Sequence, residues 1–478
     1  MSYRTTLLGT TLALIAGCSS SDVNTNLEPG GPEPETICTA KQLEAALAEA
    51  APGSIVRAGA CEIEGSFVVP ADVTLVGEGI GITTIVGPES RPAIELAPGA
   101  TLSDLAVISK GIAGVIARGD GAGDVRVASV SIQADVGIGF GAERLEYVEL
   151  VDVTLAGPTR DFTELPPVPN APPTPDVTGT HGLVLWTVAE ARLENVRSNG
   201  FVGFGALLMN TATRWTRGGA DNNAGVGIMA VDGETALEGV VVSRTYRAQI
   251  SIPAYGVLFV SKALMTDTPD ETADVSARLL GVDVSNNGGI GIMYAGGRSL
   301  LIEESAAAGN AFAGLLVAES SSVTVRKTSI SGTKELTLSV AGGGPELIGG
   351  EGLQLMSAVH DILLEDVTLA DNARGGLLVD LGATGLPETT QTWSNVSVTG
   401  NMAFGALCQG LYAGQLSVWG PGEPQSAPWD EGIVRDNTTE VGDAAFEIPF
   451  DVIGVVDPNF MPAPISVVTD GLQALTTQ

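Results

Sequence analysis

The stretch DNNAGVGIM, Asp221 to Met229, returns as SNNGGIGIM at Ser285 to Met293. Alone, either copy resembles a glycine-rich phosphate loop; together they raise the question of a repeat. Aligning the glycine that precedes an apolar triplet gives Gly182 (LVL), Gly205 (ALL), Gly227 (IMA), Gly291 (IMY), Gly314 (LLV), Gly352 (LQL), Gly376 (LLV) and Gly405 (ALC). Consecutive members stand about 22 to 24 residues apart in four cases (182 to 205, 205 to 227, 291 to 314, 352 to 376). Ala93 and Gly114 extend the series upstream, and the long gap after Gly227 predicts a further coil near Ala248 (QIS). Five of these glycines follow an asparagine by four residues: Asn223, Asn287, Asn310, Asn372 and Asn401; Asn199 is close by, six residues before Gly205. Upstream of them run segments such as LLEDVTLADN and WSNVSVTGN, whose period of two reads as strand.

Each coil is therefore expected to hold two short strands, joined by an Asn-containing turn and a looser turn. No such unit can bury its apolar face alone, so the coils must stack into one continuous core. Stacked asparagines at one turn predict a hydrogen-bonded ladder, with Arg244 standing where one asparagine would be. A phosphate loop needs a helix N-terminus, and none follows these glycines; no nucleotide or other cofactor is expected. Composition agrees, with 62 glycines and only 5% aromatic residues in 478. A formal net charge of -33 excludes nucleic-acid binding through phosphate neutralisation and disfavours polyanionic sugars.

Before the repeats, Thr39 and Gln42 stand at capping-box spacing, and Leu43 and Leu47 continue a helix that Pro52-Gly53 ends. The succession of this helix, AAPGSIVRAGA (Ala50 to Ala60) and VTLVGEG…TTIVG (Val73 to Gly87) resembles the start of right-handed parallel β-helix proteins of the pectate-lyase superfamily. The resemblance implies an all-β solenoid of about a dozen coils behind a short N-terminal capping helix. Many members cleave or modify acidic polysaccharides, and others are tailspikes or adhesins.

The motifs of the enzymes do not carry over. Thr180-His181-Gly182 stands where a polygalacturonase-like chain has Gly-His-Gly, Arg-Ile-Lys is missing, and no acidic cluster is matched with a lyase-type basic motif. No catalytic residue and no metal ligand is assigned; His181 and His360 read as turn residues, and Asp267, Asp270, Glu271 and Asp274 as a solvated loop. If positions +1 and +3 after each repeated glycine face inward, the outward +2 row is Val184, Leu207, Met229, Met293, Leu316, Gln354, Leu378 and Leu407. That row is nearly all apolar, which predicts a face covered by loops, by the C-terminal segment or by a partner. The best polar cluster is Arg214, Trp215, Arg217, Asp221, Arg244, Tyr246 and Arg247, a candidate ligand patch of aromatic and bidentate donors, weighed against arginines simply paired with acidic neighbours.

The N-terminus reads as an address. Arg4 and the apolar run Leu7 to Ala16 form a signal-peptide core, and LIAGC, Leu14 to Cys18, resembles the lipobox of bacterial lipoproteins. The resemblance implies lipid attachment at Cys18, a tether over 18–36 and, with Ser19 next, sorting to the outer membrane. In that oxidising setting Cys38 and Cys61 are expected to pair, leaving Cys408 a buried thiol. The organisation expected is signal peptide 1–17, tether 18–36, β-helix 37–408 and a capping or irregular segment 409–478, with a proline-rich insertion at 158–180. The functional expectation is a lipid-anchored envelope protein for carbohydrate or protein binding or surface display, its partners a polysaccharide or another envelope protein. The alternative is a polysaccharide lyase or glycoside hydrolase.

Overall fold

The computed structural model describes residues 36–158, 180–247, 254–262, 264, 275–338, 347–356, 359, 361–380 and 390–402, and the strands at 404–409, 417–419, 425–426 and 433–435. Two parallel sheets face each other. The front sheet has fourteen strands, thirteen of them parallel and the last, Ser417–Trp419, antiparallel to Phe404–Gln409. Thirteen parallel rungs are thirteen coils, against the dozen expected.

The back sheet of 23 strands is two ribbons side by side. In one coil the chain runs through Gly289–Ala295 in front, Ser299–Glu303 in the first back ribbon and Ala306–Ala308 in the second. Each strand then pairs in register with its counterpart one coil on. A coil thus has three strands, where the sequence suggested two. The corner between the ribbons is a single left-handed residue: Asp104, Ser129, Asp152, Asn195, Arg217, Glu304, Lys327, Asp366 and Asn395 have φ between 46° and 61°, and Gly239 and Gly281 lie at 60°. Aspartate, asparagine and glycine tolerate this conformation best. The next residue turns inward, as Val153, Val196, Val240, Val282, Val367 and Val396 do in a stacked column. Five earlier strands, among them Asp124–Ala134 and Glu190–Asn199, run through the corner without a break.

The asparagine ladder forms. Asn223, Asn287, Asn310, Asn372 and Asn401 are all buried. Asn310 Oδ1 accepts from both the backbone N–H (3.1 Å) and the side-chain amide (2.9 Å) of Asn287, and Asn401 Oδ1 serves Asn372 in the same way at 3.0 and 2.8 Å. The amides of Asn223, Asn287, Asn310 and Asn401 also donate back to a carbonyl of the second back ribbon, as Asn310 Nδ2 does to Val284 O at 2.9 Å. The left-handed residue is the one before the asparagine: Asn222, Asn286 and Asp371, or Gly309 and Gly400. Arg244, with φ 52°, belongs to that column. Thr245 holds the ladder position itself and donates its backbone N–H to Asn287 Oδ1, which corrects the expected place of Arg244. Asn199 is exposed and off the ladder; Phe201 stands in its row.

The repeated glycines have a different job from bending the chain. Gly205, Gly227, Gly291, Gly314 and Gly352 have no left-handed φ. A Cβ at Gly291 would sit 2.5 Å from the Asn310 amide nitrogen and 2.6 Å from the carbonyl oxygen of Gly314. Gly205 and Gly352 face the same two partners in their own coils. Only glycine lets the front strand approach the ladder and the next coil so closely. The coil expected near Ala248 has its front strand at Ala254–Val260, with Gly256 in the glycine column; Ala248 itself lies outside the described residues.

At the N-terminal end, α1 (Ala40–Glu49) closes the first coil by burying Leu43 and Leu47. Thr39 caps it by accepting from Gln42 N, and Gln42 Oε1 reciprocates by accepting from Cys38 N. The Cys38–Cys61 disulfide ties the start of this cap to the first coil.

Candidate functional site

From Thr101 onward the corner between the two back ribbons never lengthens. Every long connection opens instead at an edge of the front sheet: Ala156 to Thr180, Ser243 to Ala254 and Ser331 to Glu351 on one edge, Val260 to Val275 and Asp380 to Thr390 on the other. The front sheet is therefore the face around which the chain has varied its loops, and loops on a rigid scaffold are where function concentrates.

Its outer surface carries three rows. The middle row is Ile116, Gly141, Val184, Leu207, Met229, Leu258, Met293, Leu316, Gln354 and Leu378. Leu407 continues it, though its side chain lies outside the described residues. One flanking row runs through His181, Phe204, Val226, Tyr255, Ile290, Ala313 and Glu351, and the other through Trp186, Met209, Val231, Val260, Ala295, Ala318 and Met356. Residues at +1 and +3, such as Leu183 and Leu185 or Ile292 and Tyr294, point inward and join the main core. The outward rows form a second apolar cluster, separate from that core.

This outward cluster is buried. Val184, Leu207 and Met229 are 0% exposed and Leu378 only 5%. At the N-terminal end Val68 is 57% exposed, so the cover begins near Ile116. Leu264, Leu336 and Trp186 are the described apolar side chains that pack against it from a partly buried position.

Two polar islands interrupt the apolar surface. His181 is buried, stacks on Phe204 with ring centroids 5.0 Å apart, and accepts from Phe204 N through Nδ1 at 3.3 Å. Burial pushes its pKa down from 6.5 to about 4, so it is neutral at physiological pH and is a packed side chain of the face instead of the turn residue expected. At the other end Glu351, with 2% exposure, accepts from Gln354 Nε2 at 2.7 Å and pairs with Arg374 Nε at 3.4 Å. Burial raises the Glu351 pKa, and Arg374 and Gln354 partly offset it. The Gln354 Oε1 atom is buried with no hydrogen-bond partner. Acid–base cleavage of a glycosidic bond needs two carboxylates across the scissile bond. From the Thr180–Trp186 strand to the Glu351–Met356 strand Glu351 is the one carboxylate in these rows, and its polar neighbours are an amide and a guanidinium; one coil beyond either end the row through Trp186 and Met356 reaches Glu143, paired with Arg118 and Arg144, and Asp380. No group of three metal-ligating side chains occurs among the described residues.

The arginine and aromatic cluster expected as a ligand patch is spread over several surfaces. Trp215 points into the coil, fully buried in the main core, because Arg214 on the same strand points out; it cannot stack on a ligand. Arg214 pairs with Glu238 at 3.3 Å on the first back ribbon, and Arg217 pairs with Glu194 at 2.6 Å at the corner between ribbons. Asp221 and Arg244 form an ion pair at the next corner, where Ser243 also donates to Asp221 at 2.7 Å. Burial opposes ionisation of Asp221, but the bonds from Arg244 and Ser243 outweigh it and hold its pKa below the usual value. Tyr246 bridges to Ala224 beside the front sheet, and Arg247 follows it, half-buried, with its pKa lowered by desolvation. Along the first ribbon Arg126, Glu149, Arg192 and Glu194 continue the alternation of charge. His360, Cys18, the acidic loop at 267–274 and the side chain of Cys408 lie outside the described residues.

Stacked parallel rungs, an asparagine ladder and a three-sided coil define the class: the chain is a right-handed parallel β-helix. Residues 271–416 match the family model described as the right handed beta helix region. No curated protein matches the sequence. Among solved structures the chain is similar to the A-module of the mannuronan C-5 epimerase AlgE6 from Azotobacter vinelandii, at 13% identity, over 83% of this chain and 91% of that one, with a TM-score of 0.34. It is similar also to tailspike protein 3 of bacteriophage CBA120 (12% identity, 84% and 57% covered, TM-score 0.35). A third is the catalytic unit of a thermostable GH87 α-1,3-glucanase from Streptomyces thermodiastaticus (11% identity, 86% and 71% covered, TM-score 0.35). No residue role is transferred from any of the three.

Proposed function

We propose that this protein is a lipid-anchored component of the bacterial envelope that binds a carbohydrate or another envelope protein without catalysing its conversion. The observation that carries the reading is the outer face of the front sheet, apolar and buried from Ile116 to Leu378, where a polysaccharide-cleaving groove would need open, facing carboxylates. The surfaces left to a partner are those of the back sheet. On its first ribbon Arg126, Glu149 and Arg192 stand in register on successive coils, Arg214 follows directly beside Arg192, and Glu194 and Glu238 flank them, each arginine more than half exposed. Such a zipped strip offers planar donors and acceptors to hydroxyl-rich or mixed-charge surfaces and repels neither sign strongly. Attachment at Cys18 would hold the rod at the outer membrane through the 18–36 tether.

Two measurements test this. Purified protein incubated with pectin, alginate and chitin is expected to release no product; release abolished by Glu351→Gln would overturn the non-catalytic reading. A radiolabelled fatty acid is expected to mark the wild type and leave Cys18→Ala unlabelled, and equal labelling would remove the anchor.

A further inference from the structure

We propose that the edge where the front sheet meets the first back ribbon, at Arg118, Glu143, Arg144 and Trp186, is a binding site for an uncharged polysaccharide. Such a site rests on the binding reading and narrows it from a carbohydrate or a protein to one chemical class at one place.

Register brings the four residues together. Arg118, Glu143 and Trp186 stand on successive rungs of one outward row. Arg144, the first residue of the turn after Glu143, donates its backbone N–H to Trp186 O at 3.0 Å. Beyond Trp186 the same row turns apolar, through Met209, Val231 and Val260, and is buried. Trp186 is the boundary residue: its indole rests on the outward apolar cluster yet is only partly buried, so part of the ring is open beside three charged groups.

The edge is clear at this level. The connections Arg118 to Asp124, Glu143 to Tyr147, Trp186 to Glu190 and Met209 to Ala212 are short turns. The first long connection on this side leaves after Val260, three rungs from Trp186, or roughly 14 Å at about 4.8 Å each.

Glu143 sits between the two guanidiniums, with Arg118 Nε 3.8 Å from one carboxylate oxygen and Arg144 Nε 3.6 Å from the other. Those are ion-pair distances, too long for hydrogen bonds, so the N–H donors and the carboxylate lone pairs are not spent on one another. Arg217 and Glu194, by contrast, bond each other at 2.6 Å. Charge attraction holds the three groups in place and leaves their hydrogen-bonding capacity to a ligand, with Arg144 59% exposed and Arg118 36%.

That set of groups fits a pyranose. An aromatic ring packs against the apolar C–H face of a sugar, planar guanidinium donors meet adjacent hydroxyls, and a carboxylate accepts from them. Charge selects among sugars. Exposed Asp120 and Glu146 flank the site, so two arginines stand with three acids in a chain of net charge -33, and a polyanion is repelled. The turn after Glu143 leads directly to Tyr147 at the head of the first ribbon, so a glycan longer than one ring can continue onto the charged strip.

Native electrophoresis of the full chain through gels cast with dextran, laminarin or galactomannan tests the site. Wild type is expected to be retarded by at least one of these neutral polysaccharides and to run freely in alginate. Trp186→Ala should weaken the retarding interaction about tenfold, as loss of an aromatic anchor does. Arg144→Asn should weaken it about threefold; its side chain is exposed and asparagine tolerates its φ of 51°, so it decides the matter even if Trp186→Ala fails to fold. Arg197→Ala, on the second back ribbon, should change nothing. A wild type unretarded in all three neutral gels, an Arg144→Asn or folded Trp186→Ala retarded as strongly as wild type, an equal loss in Arg197→Ala, or stronger retardation in alginate would each overturn the assignment. The non-catalytic binding reading survives any of these, because it falls with product release, which the gels do not measure.

Discussion

Replacing Asn310 by alanine removes one rung of the ladder. The mutation deletes the acceptor of the buried Asn287 N–H, takes one of two partners from the Asn287 side-chain amide, and withdraws a donor from Val284 O. The amide keeps Val242 O at 3.3 Å, and Val284 O is a carbonyl with two lone pairs, so the orphaned N–H dominates. A buried donor left unpaired costs about 1–3 kcal/mol, and the two weakened bonds add about 1 kcal/mol between them. The expected loss is therefore about 3 kcal/mol. Asn199→Ala, at an exposed position off the ladder, should stay within about 0.5 kcal/mol.

Because each coil contacts only its neighbours, the loss should be local before it is global. Urea denaturation gives the total, and hydrogen exchange is expected to accelerate first in Asp283–Ser285, Gly289–Ala295 and Ala313–Ala318. A loss under about 1 kcal/mol for Asn310→Ala at unchanged m value, or equal effects of Asn310→Ala and Asn199→Ala, would refute the claim that the ladder holds the coils together.

Two glycines separate the two uses of that residue. Gly291→Ala places a Cβ against the ladder and the next backbone and is expected to cost about 2–3 kcal/mol by overpacking. Gly281, at φ 60° with nothing within 4 Å of the place a Cβ would take, should lose only about 1 kcal/mol on Gly281→Ala. Gly281→Asn should recover most of it, since Asn195 and Asn395 already occupy that corner; thermal melts of the three variants decide. His181 titrates at about 4 in the fold and near 6.5 when unfolded, so the unfolded chain binds the extra proton in between. Its contribution is present above pH 6.5 and is lost as pH falls to about 4, by about 3 kcal/mol in total. Glu351, shifted upward, acts in the opposite sense, so the comparison must be wild type against His181→Gln: the variant should lose the acid-side drop, and parallel pH profiles would show that His181 is not buried neutral.

Much of the fold was legible because stacking forces a fixed length on each coil. The ladder asparagines, the glycine column and the Thr39–Gln42 cap are short-range patterns, and each formed where its spacing placed it. The third strand was harder to see. In DILLEDVTLA the buried residues are Ile362 and Leu364, then Val367 and Leu369, so the period of two slips by one residue at Asp366. That slip is visible in the letters, but read as one strand it is taken for noise. Trp215 was misplaced for a related reason: charged neighbours drew it into a surface patch, while the alternation Thr213, Trp215 inside and Arg214 outside put it in the core.

The face of the front sheet is where local patterns stop being sufficient. Inward and outward rows are equally apolar there, Leu183 beside Val184 and Ile292 beside Met293, so a strand such as GIGIMYA is buried along its whole length. A sheet buried on both sides reads as a continuous hydrophobic run, and the sequence of the strand holds no mark of what lies against its second side. That information resides outside the strand itself. An enzyme of this architecture would spend its outward rows on polar chemistry. Here those rows are spent on packing, and the charged run of Arg126, Glu149, Arg192 and Glu194 on the back sheet is the exposed, ordered surface on which the proposed binding rests.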